Sequence, residues 1–154
     1  MKICRLLKNS HVFMELKEKD KTKLLEELIH EIKQRDLINN EKVILDEILK
    51  RESLGSTGLE KGIAIPHALT DEVKEPFLAL AVLRNGVDFE AVDGMPTYVI
   101  FLLLGEKKNP GNQLKILAHI CRLIKEVSFV QKIRKAKTAG DICEVLEEEE
   151  GKIE

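Results

Sequence analysis

Residues 51–68 read Arg51-Glu52-Ser53-Leu54-Gly55-Ser56-Thr57-Gly58-Leu59-Glu60-Lys61-Gly62-Ile63-Ala64-Ile65-Pro66-His67-Ala68, and the character of the chain changes twice within them. An arginine closes a helical pattern, a Gly/Ser/Thr loop with Gly55, Gly58 and Gly62 follows, and a short apolar run then stops at Pro-His. Glycine lets backbone N–H groups approach an anion closely, and Ser or Thr hydroxyls can donate to it. The loop therefore has the chemistry of a phosphoryl cradle, with Ser56, Thr57 and Gly58 as candidate phosphate contacts. A strand ending in proline cannot continue its ladder, so His67 is expected at the rim of a sheet, where α/β sites sit.

Imidazole suits phosphoryl transfer because it is largely neutral near pH 7 and keeps one nitrogen lone pair to attack phosphorus. The N–P bond is labile, so the group can be handed on. Charge in the transition state spreads over three equatorial oxygens, which asks for a cation and aligned donors rather than a second base. Arg51 supplies a bidentate fork and Thr57 a hydroxyl. The loop is not a Walker A motif, since no Gly-Lys-Ser/Thr closes it. A metal centre built on His67 and Asp71 needs a helix there and a further ligand; the sequence offers neither, and no metal is expected. His11, His30 and His119 read as ordinary packing or surface residues.

Working outward toward the N-terminus, Val12–Leu16 reads as a first strand. Asp20 caps a helix whose Leu24, Leu25, Leu28, Ile29 and Ile32 recur at helical spacing through Gln34. Asn40 caps a second helix with the stripe Ile44, Leu45, Ile48 and Leu49, its end set by Gly55. Toward the C-terminus, Ile63–Ile65, Phe77–Leu83, Val87–Phe89 and Tyr98–Leu104 are apolar runs bounded by turn residues, as buried strands are. Asn85-Gly86 reads as a hairpin turn between the second and third of them. Leu114, Leu117, Ala118, Cys121 and Ile124 mark a third helix, apolar around its circumference and so expected to be central. Ser128 and Thr138 cap two more, the last ending in Glu147–Glu150, read as a solvated helix end. Helices first, strands in the middle and helices last give an α/β fold in the broad sense, or α+β: a single domain over residues 1–154, its mixed β-sheet flanked by helices. The strand order does not follow from the pattern.

The 154 residues, 44% of them hydrophobic, are enough for one proper core. A net charge of -2 leaves no positive field for a polyanion, which argues against nucleic acid. Phe77–Leu83 and Val99–Leu104 fall far short of the ~20 residues that cross a bilayer, so no membrane insertion is expected. The first residues lack the apolar core and cleavage site of a signal peptide, which predicts a cytoplasmic protein. Cys4, Cys121 and Cys143 show no CxxC or zinc spacing and read as free thiols.

The motif R-E-x-x-G-S-T-G-x-x-x-G-I-A-I-P-H, residues 51–67, resembles the active-site signature of the type-2 enzyme IIA domains of the bacterial phosphotransferase system, the fructose/mannitol/nitrogen-regulatory family. The similarity continues through Val87-Asp88-Phe89, Asp93-Gly94, the strand Val99–Leu104 and the helix around Leu114–Leu123, covering almost the whole chain. The resemblance implies one α/β domain without metal or bound cofactor. His67 matches the phosphorylated histidine, Arg51 the arginine beside it, and Thr57 the loop that shapes the site. The implied donor is the histidine-containing phosphocarrier protein, itself charged from phosphoenolpyruvate by enzyme I; the implied acceptor is a IIB domain or a regulatory target protein. Where many members carry a second histidine, this sequence has Gln113, which can donate a hydrogen bond but carries no charge. His119 is no substitute, because six residues of helix turn it through about 600° to another face.

The expected function is thus a phosphocarrier, nitrogen-regulatory rather than sugar-specific because no membrane or IIB segment is fused to it. The alternative is a non-catalytic regulatory module that keeps the fold and acts by protein contact.

Overall fold

The computed structural model describes residues 2–126 and 128–153. Its elements run α1 (Ile3–Leu6), a 3-10 turn (Asn9–His11), β1 (Val12–Phe13), α2 (Lys21–Gln34), α3 (Glu41–Ser53), β2 (Ile63–Ala64), β3 (His67–Thr70), β4 (Phe77–Val87), β5 (Thr97–Glu106), α4 (Pro110–Leu123), α5 (Phe129–Lys135) and α6 (Ala139–Lys152).

The strands form one mixed sheet in the order β1-β4-β5-β2, with β3 following β2 along the same side of β5. The long β4/β5 pair is antiparallel, while β1 pairs with β4, and β2 and β3 with β5, in parallel. Helices cover both faces. Leu24, Leu28 and Ile32 of α2 and Ile44 and Ile48 of α3 pack on Ala79, Ala81, Ile100, Leu102 and Leu104. On the other face, Ile116 and Ile120 of α4, Phe129 of α5 and Leu146 of α6 pack on Leu78, Leu80, Val99, Phe101 and Leu103. Alternate strand residues feed opposite layers, and because both layers are dry the strands read as unbroken apolar runs. Each such Leu, Ile or Phe contributes about 1.5–3 kcal/mol by leaving water.

Several local expectations change. The first strand shrinks to Val12–Phe13, because Met14–Leu16 makes no ladder with β4. Asn85-Gly86 is no hairpin turn: β4 runs on to Val87, with a register shift between Val82 and Val87 opposite β5. Gly86 has φ +72°, and a Cβ there would stand 2.9 Å from the Pro96 Cβ, so the glycine serves a bulge pressed on its neighbour strand. Phe89 falls outside the strands but is fully buried. Helix α4 is amphipathic rather than central, burying Gln113, Ile116, Ile120 and Leu123 and leaving Leu114 and Cys121 exposed.

The acidic run is the largest departure. Glu149 and Glu150 are buried, with Glu150 wholly inaccessible. Glu150 accepts from the backbone N–H of Ile3 (2.6 Å) and of Cys4 (2.8 Å) and from Nε2 of His119 (2.7 Å), tying α6 to α1 and α4. Glu149 takes Lys132 at 2.6 Å and Lys152 at 3.3 Å. Charges follow rules of pairing as well as of exposure, and a run of four glutamates hides which of them will find partners.

The caps divide. Asp20 accepts from the Lys23 N–H, and Thr138 forms a reciprocal capping box with Asp141. Asn40 and Ser128 make no side-chain cap bond. Among the described residues no helix is long and apolar enough to cross a membrane.

Candidate functional site

Helix α3 ends where strand β3 begins, and the gap between them is a cleft of about 460 Å3. Glu47, Lys50 and Arg51 line it from α3 and Leu54 from just past its end, His67, Ala68 and Leu69 from β3, Lys107 from just beyond β5, and Gln113 from the first turn of α4.

Pro66 interrupts the sheet edge without ending it. Its carbonyl still accepts from the Leu103 N–H at 3.0 Å, and His67 opens β3 in register with Leu103. The expected strand end is therefore a strand restart, with His67 on its first residue. Ala68 points into the α2/α3 core layer, so His67 faces the opposite way, toward the α4 side. The imidazole is half-buried, and its Nδ1 lies 2.7 Å from the Ile65 carbonyl oxygen. A carbonyl only accepts, so Nδ1 carries the hydrogen and the neutral ring keeps its lone pair on Nε2. Nε2 has no hydrogen-bond partner among the described residues.

Arg51 donates from NH1 to the Gly55 carbonyl at 2.9 Å, closing the last turn of its own helix. One of five guanidinium N–H groups is used there. Gln113 is buried and donates from Nε2 to the Ala68 carbonyl at 2.9 Å, bracing β3 from the far side. Lys107 stands 3.6 Å from Glu47 and 3.7 Å from Asp71. Glu47 is also held by the Thr70 hydroxyl at 2.6 Å. Lys50, Arg51 and Lys107 outnumber Glu47 among the charged groups lining the cleft, which is therefore positive.

Ser56, Thr57 and Gly58 do not line this cleft; they lie behind it, bonded inward. Thr57 is buried and gives its hydroxyl to Glu52, whose other oxygen takes the Thr57 N–H at 3.1 Å. Glu52 in turn pairs with Lys21 at 2.9 Å, both side chains largely enclosed. The Ser56 hydroxyl donates to the Phe89 carbonyl at 2.6 Å and accepts from the Gly58 N–H at 3.0 Å. A Cβ on Gly58 would stand 2.8 Å from the Phe89 oxygen, so backbone packing alone accounts for that glycine. Arg51, His67 and Gln113 do meet in one cleft.

Lys61, the other cation of the 51–68 stretch, lies on a different surface beside Val92 and Cys121, with its N–H on Asp93. Asp71 follows a strand, not a helix, and its carboxylate faces Lys107. Among the described residues no group of three or more metal-type ligands comes together. His11 is buried with Nδ1 on the Leu78 carbonyl at 2.9 Å, and His30 is exposed beside Glu41. Sequence reading missed Glu47, Lys50, Lys107 and Gly105. Only Gly105 carried a signal: a glycine inside a strand marks close approach, and a Cβ there would sit 2.8 Å from the Gln113 Cβ.

The family description "Phosphoenolpyruvate-dependent sugar phosphotransferase system, EIIA 2" matches residues 5–149. The chain belongs to this type-2 EIIA family. A nitrogen regulatory protein of Bradyrhizobium diazoefficiens is 34% identical over 147 residues, covering 95% of each chain. The fructose-specific EIIABC component of Bacillus subtilis is 28% identical over 146 residues, and there this EIIA chain spans only 23% of the relative's length. Among solved structures, nitrogen regulatory protein IIA-Ntr from Neisseria meningitidis superposes with a TM-score of 0.85 at 29% identity, covering 94% of this chain and 98% of that one. IIA mannitol from Escherichia coli shares the fold, with a TM-score of 0.75 at 16% identity over 90% of this chain and 97% of that one. The mixed sheet with helices on both faces is thus the EIIA architecture.

Proposed function

We propose that this EIIA chain is a phosphohistidine carrier: Nε2 of His67 takes a phosphoryl group from the histidine-containing phosphocarrier protein and passes it to a IIB domain or uses it as a signal. The observation that carries the reading is the Nδ1–H bond to the Ile65 carbonyl, which leaves the other ring nitrogen as the nucleophile on a positive cleft. In the transfer, the P–N bond of the donor breaks as the P–Nε2 bond forms, and no proton need move. The ring becomes cationic, and the fixed Ile65 carbonyl stabilises its Nδ1–H. Arg51 meets the equatorial oxygens with the guanidinium N–H groups that Gly55 leaves unused. Ser56, Thr57 and Gly58 act by fixing the loop beneath Arg51, a positioning role in place of direct phosphate contact.

The nitrogen-regulatory role is favoured over the sugar-specific one. Its support is the full-length similarity to the Bradyrhizobium nitrogen regulatory protein and to IIA-Ntr. Incubation with phosphoenolpyruvate, enzyme I and the phosphocarrier protein tests the proposal. An acid-labile, alkali-stable label that vanishes in His67→Ala supports it. An unlabelled wild-type chain would favour the alternative, a module working by contact alone.

A further inference from the structure

We infer that Lys107 is a further catalytic residue of this transfer: its ammonium leaves Glu47 and Asp71 and moves onto the phosphoryl oxygens of His67. The inference rests on His67 as the acceptor and goes beyond it in naming the group that balances the incoming charge.

A phosphoryl group brings close to two negative charges at neutral pH. Two of the polar groups around the cleft are already committed, Arg51 in part to the Gly55 carbonyl and Gln113 to the Ala68 carbonyl. Gln113 has no charge to offer at all. Lys107 is held differently. Its contacts at 3.6 and 3.7 Å are longer than the 2.7–2.9 Å of a tight charge-assisted bond, and its side chain is 51% exposed. Its backbone is located by a weak bond from its N–H to the Thr70 carbonyl at 3.4 Å, so the stem is placed while the head is loose.

Departure of the ammonium strands neither carboxylate. Glu47 keeps the Thr70 hydroxyl at 2.6 Å, and Asp71 is 74% exposed to water. The net charge of the cleft lining, two positive, matches the phosphoryl group only while Lys107 is counted. Lys50, likewise exposed, comes from α3 beside Arg51, whereas Lys107 comes from just beyond β5, the strand that pairs with His67. Lysine fits a swinging role because its ammonium is a compact charge on a flexible stem, able to follow phosphorus from donor to ring.

The test compares wild type with Lys107→Gln, Lys107→Arg and Lys108→Gln, the last an equal charge change on the exposed neighbour outside the cleft. Rates of labelling from phosphoenolpyruvate through enzyme I and the phosphocarrier protein are read across phosphocarrier concentration, with thermal melts to verify folding. We expect Lys107→Gln to lower the maximal rate about tenfold with KM little changed, as loss of a transition-state contact does. Lys107→Arg should recover most of it and Lys108→Gln should match wild type. In the 31P spectrum, the phosphoryl group of Lys107→Gln should titrate at higher pH than in wild type, because a neighbouring cation is gone. An undiminished maximal rate in Lys107→Gln, an equal loss in Lys108→Gln, or a change confined to KM overturns the assignment while leaving His67 as acceptor. A wild-type chain that takes no label at His67 removes both.

Discussion

Nδ1 of His67 is tethered to the Ile65 carbonyl across 2.7 Å, on the far side of the proline that separates β2 from β3. The break in the sheet edge and the choice of ring nitrogen are therefore one feature. Pro66 breaks the ladder while the chain keeps its register on β5, and at this break the Ile65 oxygen meets the ring and selects the tautomer.

That selection is measurable without any partner protein. Long-range 1H–15N spectra of the unphosphorylated chain at neutral pH should show His67 protonated on Nδ1, and after labelling the phosphorus should couple to Nε2. A ring protonated on Nε2 in the resting chain would remove the nucleophile from the cleft.

Arg51 contributes little to the resting fold, since its bond to the Gly55 carbonyl is solvent-exposed. Arg51→Ala should therefore melt close to wild type while its labelling rate falls about a hundredfold, the scale of losing a preorganised donor to a developing oxyanion. Arg51→Lys should fall between them, a point charge replacing a fork. An unchanged rate in Arg51→Ala would shift the duty to Lys50 and Lys107, which line the same cleft.

Gln113 is as much a packing residue as a site residue. Gly105→Ala would push a methyl to within 2.8 Å of the Gln113 Cβ, and overpacking of this kind costs about 1–3 kcal/mol. The same variant should slow labelling by displacing β3 beneath His67. Gln113→His, which must find a new partner for the Ala68 carbonyl, should lower the melting temperature and alter the transfer rate together. Kinetics identical to wild type would mean that this position does not act on phosphorus.

Glu150 should make the fold acid-sensitive. Burial pushes its carboxyl up, but the N–H groups of Cys4 and Ile3 and the His119 ring outweigh that and hold it below its ordinary value of 4.5. A group lowered on folding stabilises the native state above its unfolded pKa, and the benefit is lost as pH falls through the folded value. Glu150→Gln should cost about 3 kcal/mol near pH 7, since it leaves a buried donor facing a donor. The difference from wild type in denaturant melts should shrink below about pH 4. A gap that stays constant down to pH 3 would show that the carboxylate charge contributes nothing.

The helices from α2 onward were legible from periodicity and cap residues because their packing is local to each helix face, and β4 and β5 because both faces of the sheet are dry; the single turn of α1 is too short to show a period. Thus Leu24 to Ile32 and Val99 to Leu104 appear as expected. The bulge at Asn85-Gly86 was not, since two turn residues look alike whether the chain reverses or merely kinks against Pro96. Nor was the burial of Glu149 and Glu150, whose partners come from α1, α4 and α5.

The order of residues along the chain was enough to bring out the histidine, the arginine at a helix end and the family, because each depends on spacing within a few turns. Tertiary structure alone decided which groups surround that histidine. Lys107, which nothing in the sequence singled out, lines its cleft from about 40 positions downstream by way of a strand pairing, as does Gln113, which only the family resemblance had pointed to. The Ser56–Gly58 loop, though near in sequence, turns its donors toward Glu52 and Phe89. The physical reason is that a hydrogen-bond donor carries no sign of its acceptor: composition lists what a loop can bind, and only the packed chain determines which carbonyl or carboxylate arrives first.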